Sequence, residues 1–264
     1  MTLAPDPIII YGAPRSGTTY LNELLNAHPD VYISHETRLF AWMHESLVVS
    51  TQNDRLLVSY RDQFVEHLTR CLPDLIRQFH AKQWPIAQYW GDKNPHYADE
   101  ANRGCLETIR RLFPGAKFIH IVRDGRDVVS SLIRKQHADG RPWVDLPTAC
   151  DVWCQHIDNG SAFGRAIDPG SYFEIRYEDL VENDIRHAEA IFQFLRIPIH
   201  DHVLEFCRQQ SHQRTEFSGP TRNLGEGVAR SNWDTVLTIE QRQQYLQRLL
   251  PGLIKFRYAN PESC

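Results

Sequence analysis

The sequence predicts an α/β protein of one domain, with a central parallel sheet, many helices and a three-layer α/β/α arrangement. Three observations point there. Short apolar runs alternate with helical patterns along the chain, as expected for parallel strands joined by crossover helices. The first run, Ile8-Ile9-Ile10-Tyr11, passes directly into a glycine-bounded loop, Gly12 to Gly17, and then into a helical pattern. The 264 residues are 42% hydrophobic and 23% charged, the balance of an ordinary globular chain with enough apolar material for a sizeable core.

Taken in order, strands are expected over residues 7–11, 31–34, 89–92, 117–122 and 171–175. The helix expected over 18–27 carries Leu21, Leu24 and Leu25 on one face, and its N-terminus turns amides and a positive dipole end toward the preceding loop. Further helices are expected over 38–49, 54–82, 99–113, 125–136 and 146–167, with two or three more pieces after Leu180. The segment from Ser211 to Asp234 is polar, contains Gly219, Pro220, Gly225 and Gly227 and keeps no period, so it reads as a long lid-like loop. No repeat, low-complexity tract or linker divides the chain. Residues 1–264 are therefore expected to form a single domain, with helical insertions near 38–90 and the lid-like loop near 211–234.

Composition narrows the partners. A net charge of -4 gives no general attraction for nucleic acid or an acidic membrane, so any anion site must be local. The six cysteines, Cys71, Cys105, Cys150, Cys154, Cys207 and Cys264, include one C-x-x-x-C pair but no second pair or histidine spacing that completes a zinc pattern. They read as reduced packing residues. No basic N-terminal region precedes a long apolar run, and no stretch approaches the ~20 apolar residues of a transmembrane segment, so a cytoplasmic location is expected. Oligomeric state is left open.

The chemistry starts in the first loop. Gly12-Ala13-Pro14-Arg15-Ser16-Gly17-Thr18-Thr19 keeps P-loop-like glycine spacing, but Thr18 stands where a nucleoside triphosphatase has its lysine. Arg15 has moved inside the loop instead, so the pocket wants an anion smaller than a triphosphate. The fourth strand ends in Val122-Arg123-Asp124-Gly125, delivering an arginine where a kinase or ATPase usually offers a magnesium-binding acid. Open parallel sheets place ligands at such carboxyl ends. Ser131 follows about two helical turns later, and with Arg123 it suits a second phosphate.

These residues match a family. Ala13 to Thr19 resembles the 5′-phosphosulfate loop of the sulfotransferases, and Val122-Arg123-Asp124 through Ser131 resembles their 3′-phosphate motif. His35-Glu36-Thr37-Arg38 and Gly91-Asp92-Lys93-Asn94-Pro95 are similar to tyrosylprotein and bacterial sulfotransferases, and all four stretches fall in family order. The likeness extends less sharply through Arg176-Tyr177-Glu178-Asp179-Leu180 to Gly227-Val228-Ala229-Arg230, and so covers most of the chain.

The resemblance implies a donor, 3′-phosphoadenosine 5′-phosphosulfate (PAPS), a product, adenosine 3′,5′-bisphosphate (PAP), and no metal requirement. It implies that Glu36 is the general base, that Lys93 and Arg15 stabilise developing charge, and that Arg15, Ser16, Gly17, Thr18 and Thr19 hold the 5′-phosphate. Arg123 and Ser131 then bind the 3′-phosphate, Arg230 closes over the nucleotide, and Tyr177 lies nearby. His35 and His96 are alternative bases or, with Arg38, acceptor contacts. The expected acceptor is a hydroxyl on a small molecule, a lipid or a carrier-bound chain, approached from segments 38–49, 52–90 and 136–147. Each residue also has a plainer reading: an Arg123 pair with Asp124 or Asp127, a Glu36 pair with Arg38 or a helix cap, a solvated surface Lys93. The competing functions are a P-loop phosphotransferase or kinase, and a nucleotide-binding module without chemistry.

Overall fold

The computed structural model describes residues 5–49, 60–135, 140, 143–216 and 233–260. Five strands, β1 (Ile8–Tyr11), β2 (Val31–His35), β3 (Tyr89–Lys93), β4 (Lys117–Val122) and β5 (Tyr172–Arg176), form one parallel sheet in the order β2-β3-β1-β4-β5. Alternation of side chains along each strand sends residues to opposite faces, and both faces are apolar. Ile8, Ile10, Ile119 and Ile121 pack against Leu21, Leu24 and Leu25 of α1 (Thr18–Asn26) and against Ile191 and Phe192 of α8 (Asp184–Leu195). Ile9, Tyr11 and Phe118 face the other way, onto Phe40 of α2 (Leu39–His44), Ile76 of α3 (Arg61–Gln83) and Ile109 of α4 (Cys105–Leu112). A sheet buried on both sides is the physical basis of the three layers.

A third apolar cluster closes the β4 end. There α5 (Gly125–Arg134) and α6 (Leu146–Ala166) pack with α10 (Trp233–Val236) and α11 (Ile239–Lys255) around Trp153. The remaining helices are α7 (Tyr177–Glu182) and α9 (Asp201–Glu216). Among the described residues, no helix is long and apolar enough to cross a membrane.

Three helical expectations shift. The helix expected from Arg38 divides into α2 and a π-helical turn, Glu45–Val49. The one expected from Asp99 becomes a 3-10 turn, Glu100–Asn102, and then α4, because Gly104 at φ 86° breaks the helical path between them. Helix α9 continues to Glu216, past Ser211 where the sequence reads as loop; residues 217–232 of the lid-like segment, and with them Arg230, lie outside the described residues.

Parallel strands align all carboxyl ends at one sheet edge. His35 pairs in register with Lys93, Ile10 with Lys93, and Val122 with Arg176. The Gly12–Gly17 loop, Glu36, Lys93, Arg123 and Tyr177 each end or immediately follow a strand at that edge. Because β1 is central, the β2 and β3 ends stand on one side of its loop and the β4 and β5 ends on the other.

Candidate active site

The loop after β1 depends on its two glycines. A Cβ on Gly12 would strike the Ile121 carbonyl of neighbouring β4. Gly17, at φ 93°, is the N-cap of α1, and a Cβ there would enter the Tyr177 ring. Helix α1 has no acidic residue in its first turn, so no carboxylate competes for its N-terminal amides. The loop is bridged by the Ser16 amide donating to the Ala13 carbonyl at 3.0 Å, while the Ser16 hydroxyl is buried without a partner.

Arg15, Glu36 and Arg38 adopt φ values of 75°, 54° and 57°, a region non-glycine residues visit rarely. Three of the five such residues described thus lie in this one cluster, and the segments around the site hold them there despite the steric cost.

On the β4 side, Arg15 Nε donates to Ser131 Oγ at 2.9 Å. Arg123 lies over the Tyr177 ring, 4.7 Å from guanidinium carbon to centroid, and reaches the Arg15 carbonyl at 3.3 Å. Its ion pair with Asp127 is long, 3.4 Å, and its Nε is buried without a partner. Asp124 is instead held by Arg126, so only the Asp127 half of the anticipated pairing forms. Trp153 Nε1 donates to the Arg123 carbonyl at 3.0 Å and ties the strand end to α6.

On the β3 side, Lys93 is not a solvated surface lysine: its side chain is 1% exposed. Its ammonium donates to Glu36 Oε1 at 2.7 Å, to His35 Nε2 at 2.8 Å and, weakly, to Thr19 Oγ1 at 3.4 Å. Burial alone would raise the Glu36 pKa, but the hydrogen bond and charge of Lys93, helped by His35 and His96, hold it below its ordinary value of 4.5. Arg38 points elsewhere, 4.0 Å from Glu45. His96 is half exposed and bonds Asp99 at 3.0 Å.

Two participants escaped the sequence reading as individual residues. Asp92, fully buried, gathers the turn that carries Glu36: its Oδ1 accepts from Ser34 Oγ (2.7 Å), Thr37 Oγ1 (3.0 Å) and Thr37 N (3.3 Å), and Tyr97 OH donates to its Oδ2. Lys135 lies close enough to Arg15 and Glu36 to feel both charges, and its ammonium covers the Trp143 ring at 3.3 Å. It stands four residues after Ser131, where α5 ends and the backbone turns extended.

Known proteins resemble this chain in sequence and in fold. The family model described as "Sulfotransferase family" matches residues 7–201. A Caenorhabditis briggsae protein is 30% identical over 236 residues, 86% of this chain and 80% of its own. Protein-tyrosine sulfotransferase 1 of Danio rerio is 29% identical over 201 residues, 75% of this chain and 55% of its own, and Protein-tyrosine sulfotransferase 2 of Gallus gallus is 30% identical over 200 residues, 75% and 53%. The chain thus spans about half the length of these two vertebrate relatives. The sulfotransferase domain from the curacin biosynthetic pathway has the same fold at TM-score 0.59 and 22% identity, over 93% of this chain and 98% of that one. Mouse sulfotransferase SULT7A1, solved with PAP, has it at TM-score 0.55 and 14% identity, over 94% and 84%. The family match runs from β1 to the start of α9 and so takes in both flanks of the loop, and on it this chain belongs to the sulfotransferase family.

Proposed function

We propose that the chain transfers a sulfuryl group from PAPS to a hydroxyl of a small-molecule, lipid or carrier-bound acceptor, in the cytoplasm. The observation that carries this reading is the Lys93–Glu36 pair at the carboxyl edge, beside a phosphate-type loop that has an internal arginine and no P-loop lysine. The donor fits the residues present. The orphaned Ser16 hydroxyl and Arg123 Nε are buried polar groups awaiting partners, and α1 turns an uncompensated N-terminus toward the loop. When bound, the donor supplies an activated sulfuryl group whose leaving group is a phosphate.

The protein's part follows from its charges. Amides from Ser16 to Thr19 bind the 5′-phosphate, and Arg123 and Ser131 bind the 3′-phosphate, with Tyr177 holding Arg123 in place by cation–π contact. Glu36 is ionised at neutral pH and takes the acceptor's proton as its oxygen attacks sulfur. Lys93 and Arg15 neutralise charge on the transferring oxygens and the leaving phosphate. An anion that draws the Lys93 ammonium also removes what holds the Glu36 pKa down, so donor binding raises the basicity of Glu36 when it is needed. His35, His96 and Arg38 border the acceptor side.

The test is calorimetric titration with PAP beside ATP, each with and without magnesium. Tight metal-independent PAP binding that weakens in Arg123→Ala is the expected result, followed by an acceptor screen of phenols, lipid hydroxyls, carrier-bound hydroxyls and a tyrosine peptide. Preference for ATP with magnesium would overturn the reading in favour of a phosphotransferase.

A further inference from the structure

Three residues outside the pair just described converge beside it. His96 lies within the short turn Pro95–Ala98 that follows β3, Asp99 caps the end of that turn, and His156 comes from the middle of α6. Each offers one ligand atom, and these atoms lie within 4.8 Å of one another. His156 is 1% exposed, and its two ring nitrogens are differently employed. Nδ1 meets the Val152 carbonyl at 2.7 Å, so it carries the proton and donates; Nε2 is left with a lone pair and has no partner. A histidine that gives one N–H to a backbone carbonyl and keeps the other nitrogen bare is oriented as metal-binding histidines are.

Asp99 is held from outside the cluster as well, whereas His96 bonds Asp99 directly, a contact that an ion between them would replace. Asp99 Oδ1 accepts from the Asn102 backbone and side-chain amides, both at 2.9 Å, which fixes the carboxylate and leaves Oδ2 for His96 Nδ1 at 3.0 Å. His96 is exposed, so solvent reaches the cluster from one side while His156 closes it from the other. Two imidazoles and one carboxylate suit a borderline divalent ion of the zinc type, with the remaining positions taken by water. Tetrahedral ligand bonds of ~2.0–2.1 Å place donor atoms about 3.4 Å apart, so a pair at the 4.8 Å limit closes by about 1.4 Å, a shift the exposed His96 ring can supply.

We infer that His96, Asp99 and His156 form a binding site for one divalent transition-metal ion, with Zn²⁺ as the natural occupant class. The ion would tie the turn that begins two residues after Lys93 to helix α6, bracing the Lys93–Glu36 segment from the side. The inference does not rest on the sulfuryl-transfer reading, and its test reads metal rather than turnover.

Chelator-treated full-length protein is titrated with Zn²⁺ by calorimetry and with Co²⁺ by visible absorption, and thermal unfolding is followed with and without Zn²⁺. The expected result is one saturable equivalent per chain, Co²⁺ bands that Zn²⁺ displaces, and a rise in Tm. His96→Ala, at an exposed position, and Asp99→Asn, which keeps the oxygen that accepts from Asn102, should both fold and are expected to weaken binding at least tenfold and to abolish the Tm rise. His156→Ala should do the same where it folds. Absence of a saturable equivalent in the wild type overturns the inference. So does binding that survives His96→Ala and Asp99→Asn but is lost in Cys71→Ser, which would assign the ion to the Cys71–His67 pair on α3.

Discussion

The two sides of the β1 loop hold their cations in opposite states. On the β4 side, Arg15 leans on a neutral hydroxyl and Arg123 on an aromatic face, a carbonyl and one long ion pair, so both retain most of their capacity for an anion. On the β3 side, Lys93 is buried and closely paired with a carboxylate, so its charge is spent within the protein. On the proposed function the β4 flank receives the donor, and the β3 flank is a balanced pair that the incoming anion unbalances. On that reading binding and reactivity are thereby separated, and each should be removable without the other.

The largest effect should come from the balanced pair. Lys93→Met is expected to lower kcat by roughly 10²–10³-fold in steady-state assays, the usual consequence of losing one preorganised charge-stabilising donor. Glu36→Gln should cost a comparable amount, on the order of 10²–10⁴-fold, while PAP affinity by calorimetry stays at the wild-type value. A PAP affinity that fell along with turnover would dissolve the proposed separation.

The pair also makes a statement about pH. Because Lys93 holds the Glu36 pKa below 4.5 in the free protein, the acid limb of kcat/KM for the donor, which reports the free enzyme, should lie below that value in the wild type, with activity lost only as pH falls through the lowered pKa. In Lys93→Met the lowering partner is gone while burial still favours the neutral acid. The limb of the residual activity should therefore move upward, toward neutral pH. An unmoved limb would assign the base to another group, with His35 and His96 the nearest candidates.

On the receiving flank, Arg123→Ala should weaken PAP by about 10- to 100-fold, since charged hydrogen bonds contribute about 1.5–3 kcal/mol and 1.4 kcal/mol is tenfold. Turnover at saturating donor should change far less. The smallest effect sharpens the backbone account: Gly17→Ala meets both the left-handed φ of 93° and the Tyr177 ring. The conformational part costs about 1–2 kcal/mol. PAP binding should therefore fall roughly tenfold or more, and adding Tyr177→Ala, which relieves the collision but also removes the ring under Arg123, should recover at most the part due to collision.

What was legible in the sequence follows this same division. Gly12 and Gly17 could be read because close strand approach and a positive φ demand glycine wherever they occur, and Arg123 because parallel strands deliver their next residue to the ligand edge. The Lys93 and Glu36 motifs were legible too, but not the state of the pair. A solvated surface lysine was the plainer alternative for Lys93, and the register His35 to Lys93, which brings β2 and β3 together and buries it, removes that alternative. Asp92 gave no separate signal, since a lone aspartate in a strand says nothing of the three residues that will converge on it. Nor did the spacing of His96, Asp99 and His156 suggest a metal pattern, because α6 joins them only after folding.

By itself, then, the sequence determined the order of strands and helices, the anion-binding loop, the arginine after β4 and membership of a sulfotransferase-like set of motifs. These are consequences of local backbone geometry and of periodic apolar patterning, which act over a few residues. Only the tertiary structure decided that Lys93 is buried against Glu36, that Asp92 holds the Glu36 turn, that Lys135 stands by Arg15, and that two histidines and an aspartate meet beside β3. Those are meetings of side chains from distant segments, set by strand order and register, and no local rule of the chain encodes them.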